Sequence, residues 1–480
     1  MSTEPGIGRD EWVARSEERR QRRGGFFGPG SELFMRLPWW VRWGMFVALV
    51  ALIPAISSSG YVRRVAFDTL LYMLLALGLN VVVGWGGLLD LGYVAFYGFG
   101  AYLYAWLSSD QFHLHLPTLL TVLLVVAATA FLGFLVGLPS RRLSGDYLAI
   151  VTLFFLQAFL TIMINGESIF GVNFTNGANG IAGVDPFSLF GHKLVVAHAG
   201  IFNVWYLYVA LAFFVVVLVA LRFVNDSRTG RAWRALREDP LAAELMSMPV
   251  NRLKLMAFMF GAATAGLTGT LFASLNGGVF PASFALPYLI TIYAMVILGG
   301  AGSQAGVVLG AVLVNVLLEV LRSPQHSRWV FYAAVLAALI AFVRPWKWLA
   351  VVLGGTFLFG IAVRVSLHAL HPAWTGGSTQ GSDSVSRLIG HWVAIPTSLG
   401  SGKAIAYVAL IAMILALTTL KGATRMIAMI PTIYMGAFVW ENVLAPKPEV
   451  TRFILLGALL VGVMTTRPQG ILGQSRVEIV

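Results

Sequence analysis

The chain has 480 residues, of which 58% are hydrophobic and only 11% charged, with a net charge of +12 and no cysteine. A water-soluble globule usually carries about 25% charged residues, so a surface this poor in charge needs lipid as its solvent. Disulfides, thiolate nucleophiles and Cys-ligated metals are excluded, and the basic excess lies in short clusters between apolar runs, which fits cytoplasmic loops better than a nucleic-acid surface.

In chain order, residues 1–42 form a basic N-terminal tail. Its first part mixes Arg15, Glu17, Glu18, Arg19, Arg20, Arg22 and Arg23 without an apolar stretch, so it reads as a disordered or surface-lying cytoplasmic tail and not as a secretory signal. A basic, lipid-touching segment around Arg36–Trp43 is the alternative. Candidate membrane spans come next at 43–57, 65–83, 93–107, 118–137, 147–164, 203–223, 253–275, 284–299, 304–321, 329–343, 347–363, 403–420, 426–444 and 453–466. They number about fourteen at roughly 20 apolar residues per span. Several are short enough to be tilted or re-entrant, 93–107 above all.

An inside N-terminus puts Arg141/Arg142, the stretch 222–254, Arg344/Lys347, Lys421/Arg425 and Arg467/Arg476 in the cytoplasm, as the positive-inside bias requires. Arg63, Arg64, Arg322 and Arg328 fall on the other side, where they are expected to snorkel from helix ends. Gly302, Gly306 and Gly310, and likewise Gly261, Ala265 and Gly269, form small-xxx-small ladders. These predict close helix packing and say nothing about substrate.

Few residues offer chemistry. Residues 397–404 imitate a phosphate-binding loop, but Thr397 stands where Gly is needed and Ala404 where a Mg²⁺-binding hydroxyl is needed. His113 and His115 read as surface histidines, and no cofactor, metal site or nucleic-acid partner is expected. Asp68 and Glu319 lie in or near spans and Asp90 beside one. Ion-driven pumps show relays of such groups, so their scarcity argues that the driving energy comes from elsewhere.

The stretch 225–254, NDSRTGRAWRALREDPLAAELMSMPVNRLK, is the most informative. Arg228, Arg231, Arg234 and Arg237 recur every three residues beside Trp233, Leu236, Leu241 and Leu245, giving a basic stripe next to an apolar one on a helix. Thr229-Gly230 can start that helix, and Pro240 and Pro249 limit or break its continuation. Two short helices across the cytoplasmic mouth would result, either a docking surface or an ordinary positive-inside loop.

GRAWRALREDPLAAELMSMPVNRLKLMAF (230–258) resembles the ATPase-coupling loop of branched-chain amino-acid ABC transporter permeases of the LivM-like type. So do, in matching order, GLNVVVGWGGLLDLGYVAFYGFGAY (78–102), RRLSGDYLAIVTL (141–153), TNGANGI (175–181), MVILGGAGSQAGVVLGA (295–311) and RPQGIL (467–472). The resemblance covers residues 65–325 and the last helix. It implies an all-α polytopic bundle, type II-like among ABC importer permeases, in a bacterial inner membrane. It also implies two cytoplasmic ATP-binding subunits, a second permease subunit and an extracytoplasmic solute-binding protein. Hydrolysis would occur in those partners, so the chain itself would not be an enzyme.

Carried over by position, Gly230, Arg231, Trp233, Leu236, Glu238, Ala242 and Ala243 would serve ATPase coupling, with Trp233 and Leu236 as apolar anchors. Asn80, Gly86, Asp90, Tyr93, Asn176, Asn179 and Gly180 would lie along the translocation path; for Asp90, helix capping stands as the alternative. Two departures are visible. Ser247 stands where the family's loop usually has Gly, and the chain is long. Residues 43–345 read as the permease domain, 346–450 as inserted extra spans, and 451–480 as the final helix and cytoplasmic C-terminus. Trp329–Pro345 resembles the family's ending and Arg452–Gly470 resembles it again. Alternatives to a branched-chain amino-acid permease are a urea or short-amide permease, an ion-coupled secondary transporter and a non-transporting scaffold.

Overall fold

The computed structural model describes residues 38–473 except 141, 142, 144, 169–170, 190–191, 195–201, 344–345, 380–383, 399, 401 and 468. Expectations for the tail up to residue 37, for Arg141/Arg142, Arg344 and Arg476, and for parts of the false phosphate loop lie outside the described residues.

Helices dominate, because lipid leaves backbone donors and acceptors only each other. They are α1 (Trp39–Ile56), α2 (Gly60–Leu79, prolonged by a π-helical turn Asn80–Trp85), α3 (Tyr93–Leu107), α4 (Thr118–Ser140), α5 (Asp146–Ile164), α6 (Val204–Asp226), α7 (Arg228–Glu238), α8 (Pro240–Leu245), α9 (Val250–Asn276), α10 (Leu286–Gly299), α11 (Gln304–Val320), α12 (Pro324–Phe342), α13 (Trp346–Leu370), α14 (Ser384–Trp392), α15 (Gly402–Thr419), α16 (Gly422–Val439, with a π turn Trp440–Leu444) and α17 (Pro448–Thr466). Every expected span falls on a helix. Among the described residues eleven helical segments are alone long and apolar enough to cross a membrane, while α11 and α12 pass as a pair bent by 116°. At 15 residues α3 is too short. It is also wrapped in protein, with Tyr93, Phe96, Tyr102 and Tyr104 buried.

One core joins α2, α3, α9, α10 and α11. The small-residue ladders set its spacing. A Cβ on Gly269 would sit 2.5 Å from the Tyr97 carbonyl oxygen, and one on Gly306 would collide with the Gly299 carbonyl. At both crossings backbone meets backbone.

A second cluster gathers α12, α13 and α16 around Leu339, Val343, Leu349 and Val352. At its edge Arg328 meets Glu441, each side chain 1% exposed. Nε and Nη2 of Arg328 donate to the two carboxylate oxygens at 2.9 Å, and Ser386 Oγ accepts from Nη1. Phe331 stacks on Trp440 with centroids 4.2 Å apart. Snorkelling of Arg328 is thereby corrected: the forked carboxylate and a hydroxyl satisfy the guanidinium inside the protein. α17 returns to the first core through Leu456, and the segment after it docks on the end of α10, where Ile471 N donates to Leu298 O and Leu472 N to Gly299 O.

The two ends of the bundle differ. At one, the loop end, α9 follows α8. At the other, the hairpin end, β1 (Ile181–Ala182) pairs antiparallel with β4 (Gly278–Val279), Ile181 opposite Val279, and β2 (Ser188–Leu189) forms a hairpin with β3 (His192–Lys193). A 27-residue α9 sets these ends about 40 Å apart.

Candidate functional site

The loop end is assembled from caps. Ser227 Oγ accepts from Gly230 N and starts α7, and the Asp239 side chain accepts from Leu241 N and Ala242 N and starts α8, with Pro240 in its first turn. Gly230 is required by contact: a Cβ there would collide with Val224 O. After α8 the chain reverses through Ser247 at φ +59°. That is the left-handed region, which favours glycine.

The faces of this loop have opposite destinations. Trp233 and Leu236 are 0% and 1% exposed. Trp233 Nε1 donates to Leu253 O at 2.8 Å, and its ring stacks on Trp85 at 6.3 Å and meets Phe260 edge-on. Arg237 Nη1 donates to Gly84 O and Ala301 O. Trp233 and Leu236, expected as anchors for a partner, therefore anchor α7 to its own bundle, together with buried Gly230 and Ala243. Exposed instead are Arg228, Arg231, Arg234, Glu238 and Ala242, and above all Leu241, Leu245 and Met246 at 67%, 78% and 76%.

The residues expected along the path divide between two places. Asn80 opens the π turn, and its buried Oδ1 accepts from Gly302 N at 2.7 Å. Trp85 Nε1 donates to Gly302 O, so Asn80–Gly86 is stitched to the α10–α11 connection. Asp90 is buried and accepts from Gly92 N at 2.9 Å, just before α3, while its backbone carbonyl accepts from Tyr293. This is a tight turn ahead of the helix and not a cap: the N-cap of α3 is Gly92, with no side-chain cap bond, and Asp90 Oδ2 is buried without a hydrogen-bond partner. Tyr93 is buried beside Gly78. Asn176, Asn179 and Gly180 belong to the hairpin end. Asn176 is left-handed at φ +58°, its side chain donates to Gly180 O at 3.2 Å, and Gly180 leads into β1. The 15 residues of α3, about 22 Å, separate the two groups.

Sequence reasoning missed a cavity of about 350 Å³ between α2, α3, α9, α10, α11 and α17, lined by charges of both signs (Arg64, Asp68, Glu319, Arg452) and by Tyr72, Tyr97 and Tyr288. Arg64 pairs with Asp68 at 3.1 Å and donates to Asn276 Oδ1 at 2.9 Å. Glu319 accepts from Tyr61 at 2.8 Å and pairs with Arg322. Arg452, which stands immediately before the last apolar run at 453–466, was the overlooked signal.

The hairpin end carries a polar cluster too. His115 Nδ1 lies 2.6 Å from Asp185 Oδ2, and Lys193 lies 3.1 Å from Oδ1. The hydrogen bond to Asp185 raises the His115 pKa. At Asp185 partial burial pushes upward, but His115 and Lys193 outweigh it and the pKa falls.

Among the described residues, eleven helical segments able to cross a membrane, packed around a cavity lined by charged groups, are the architecture of a multi-pass membrane protein. The sequence profile of the family described as branched-chain amino acid transport system / permease component matches residues 61–343, and the chain belongs to that family. It is 40% identical over 311 residues to the high-affinity branched-chain amino acid transport system permease protein LivM of Salmonella typhimurium, covering 61% of this chain and 70% of the relative. The same figures hold for LivM of Escherichia coli K12. LivH of Escherichia coli K12, a permease protein of the same transport system, is 26% identical over 277 residues, 56% of this chain and 88% of the relative. No solved structure matches the chain.

Proposed function

We propose that the chain is a transmembrane subunit of an ATP-driven importer for branched-chain amino acids in a bacterial inner membrane. It would work with two cytoplasmic ATP-binding subunits, a second permease subunit and an extracytoplasmic solute-binding protein. The observation that carries this reading is the divided loop end. α7 is bonded to the π turn of α2 through Trp85 and Gly84, and to α9 through Leu253, while α8 presents Leu241, Leu245 and Met246 to solvent. An apolar patch beside exposed arginines suits a protein partner. A push there would reach the two elements that adjoin Asn80–Tyr93.

The cavity at Arg64, Asp68, Glu319 and Arg452 supports the substrate class. A zwitterion needs a cation for its carboxylate and a carboxylate for its ammonium, and an aliphatic side chain needs apolar walls such as Leu71, Leu75 and Phe453. Packing also bears on the inserted part. The family match runs through α12 to residue 343, and α17 packs on the first core through Leu456, so we keep the insertion at 346–450 and regard Arg452–Gly470 as a second copy of the family-like ending.

Affinity purification of the tagged chain from its host should bring down two ATP-binding subunits and a second permease. Proteoliposomes of that complex with the binding protein should accumulate labelled leucine only with ATP. Uptake that ignores ATP and collapses with an ionophore would replace this reading by a secondary transporter, and uptake of urea but not leucine would replace the substrate.

A further inference from the structure

A second cavity, of about 610 Å³, opens at the loop end between α1, the last turn of α6, α7 and the first turns of α11. Four arginines line it, Arg42, Arg222, Arg234 and Arg237, and among the described residues no carboxylate does. Some of that charge is already engaged. Arg222 pairs with Asp226 at 2.9 Å, Arg234 donates to Asn225 O, and Arg237 bonds Gly84 O and Ala301 O. Two donors are not: Arg42 Nε and Gln304 Nε2 are buried atoms without a hydrogen-bond partner, and both belong to the lining. A buried donor left unpaired is costly, and guanidinium groups match phosphate oxygens in fork geometry. The N-terminal turn of the 17-residue α11 adds partial positive charge at the same wall.

The opposite wall is apolar. Trp43 and Phe46 of the membrane-spanning α1 and Val308 and Val312 of α11 line it. α1, like α15, has only 6% of its span buried inside the protein, so the cavity borders lipid. A cationic floor below an apolar groove is the complement of an amphiphile with an anionic head.

We propose that this cavity binds a membrane phospholipid with an anionic headgroup. Its phosphate is held by Arg42 and Gln304, with the remaining arginines supplying field, and its acyl chains lie along Phe46, Val308 and Val312. Because Arg234 and Arg237 sit on α7, the bound lipid braces the same helix that is anchored through Trp233. The proposal rests on the permease reading only in requiring a bilayer. A free phosphate or nucleotide would satisfy the same donors and leave the apolar wall bare.

The test is retention of phosphatidylglycerol by the purified full chain, read by native mass spectrometry and by displacement of a spin-labelled phosphatidylglycerol in phosphatidylcholine nanodiscs. Arg42→Gln should weaken retention roughly tenfold, and Val312→Trp, at a half-buried lining position, which fills the groove without touching a charge, should do the same. Lys421→Gln, at an exposed site on another loop, should leave it unchanged. Unaltered retention in both cavity variants would overturn the proposal. So would displacement by inorganic phosphate or ATP as effective as by dioctanoyl-phosphatidylglycerol, which would mark a free-anion site. Loss of the lipid on adding ATP-binding subunits would overturn it as well, by showing the cavity to be a seat for protein. None of these outcomes depends on transport, so failure here leaves the proposed function standing.

Discussion

α7 and α8 are neighbours in one loop, yet they solve opposite problems. α7 has eleven residues and turns its tryptophan and leucine into the bundle, where Leu253, Trp85 and Phe260 receive them. α8 has six residues and turns its large apolar side chains out. A helix buried on its apolar face is fixed relative to what it touches, whereas one that exposes that face is waiting for a surface. The division of labour we infer is that α8 docks and α7 transmits.

The largest effect should come from the transmitting helix. Trp233→Ala removes a fully buried ring and its bond to Leu253 O. Truncation of such a ring commonly costs about 3–5 kcal/mol. Thermal unfolding of the purified chain should shift downward and leucine uptake should disappear. Normal unfolding of this variant would erase the distinction between the helices. Next comes the docking helix. Leu245→Ala combined with Met246→Ala should weaken association with the ATP-binding subunits by about 2 kcal/mol or more, roughly thirtyfold in affinity. The unfolding midpoint of the chain alone should stay in place. If that double variant unfolds early but keeps its partners, the two roles are reversed.

A smaller effect sits at the junction. Ser247→Gly relieves a left-handed residue at φ +59° and should stabilise the loop by about 1 kcal/mol or less. Slower hydrogen exchange at Met246–Met248 is the readout, and faster exchange would show that the serine is not strained.

The mildest perturbation is pH, and it should reach only the hairpin end. With its pKa raised above the ordinary value of 6.5, His115 contributes stability fully below 6.5 and loses it as pH rises through the folded value. With its pKa lowered below the ordinary 3.8, Asp185 contributes above 3.8 and loses it as pH falls through the folded value. Protection of residues 110–117 and 184–185 should therefore be greatest between about 3.8 and 6.5 and decline on the alkaline side, with α7 and α8 as the internal reference. Equal decline in both regions would couple the two ends of the bundle.

Much of this architecture was legible beforehand. Apolar runs located every span, and Pro240 located the break between α7 and α8. The direction of Trp233 was not legible. Two stripes on one helix announce two environments, but the partner for each depends on Trp85 and Leu253, which are far away in sequence. The π turn at Asn80–Trp85 escaped because its cause is tertiary: Asn80 commits its side chain to Gly302 N. Arg328 was misjudged for the same reason, its carboxylate lying 113 residues ahead. The cavity at Arg64 needed six helices to exist before any could be said to line it.

That last separation has a temporal meaning. A ribosome extends a chain at about 5–20 residues per second, so the 113 residues between Arg328 and Glu441 take on the order of ten seconds to make. For that interval α12 has left the exit tunnel carrying an arginine whose counter-charge does not yet exist. Until α16 arrives, the arginine must stay at the water boundary or in the insertion machinery. The order of synthesis therefore requires α12 to settle late, after a helix that it precedes in the chain.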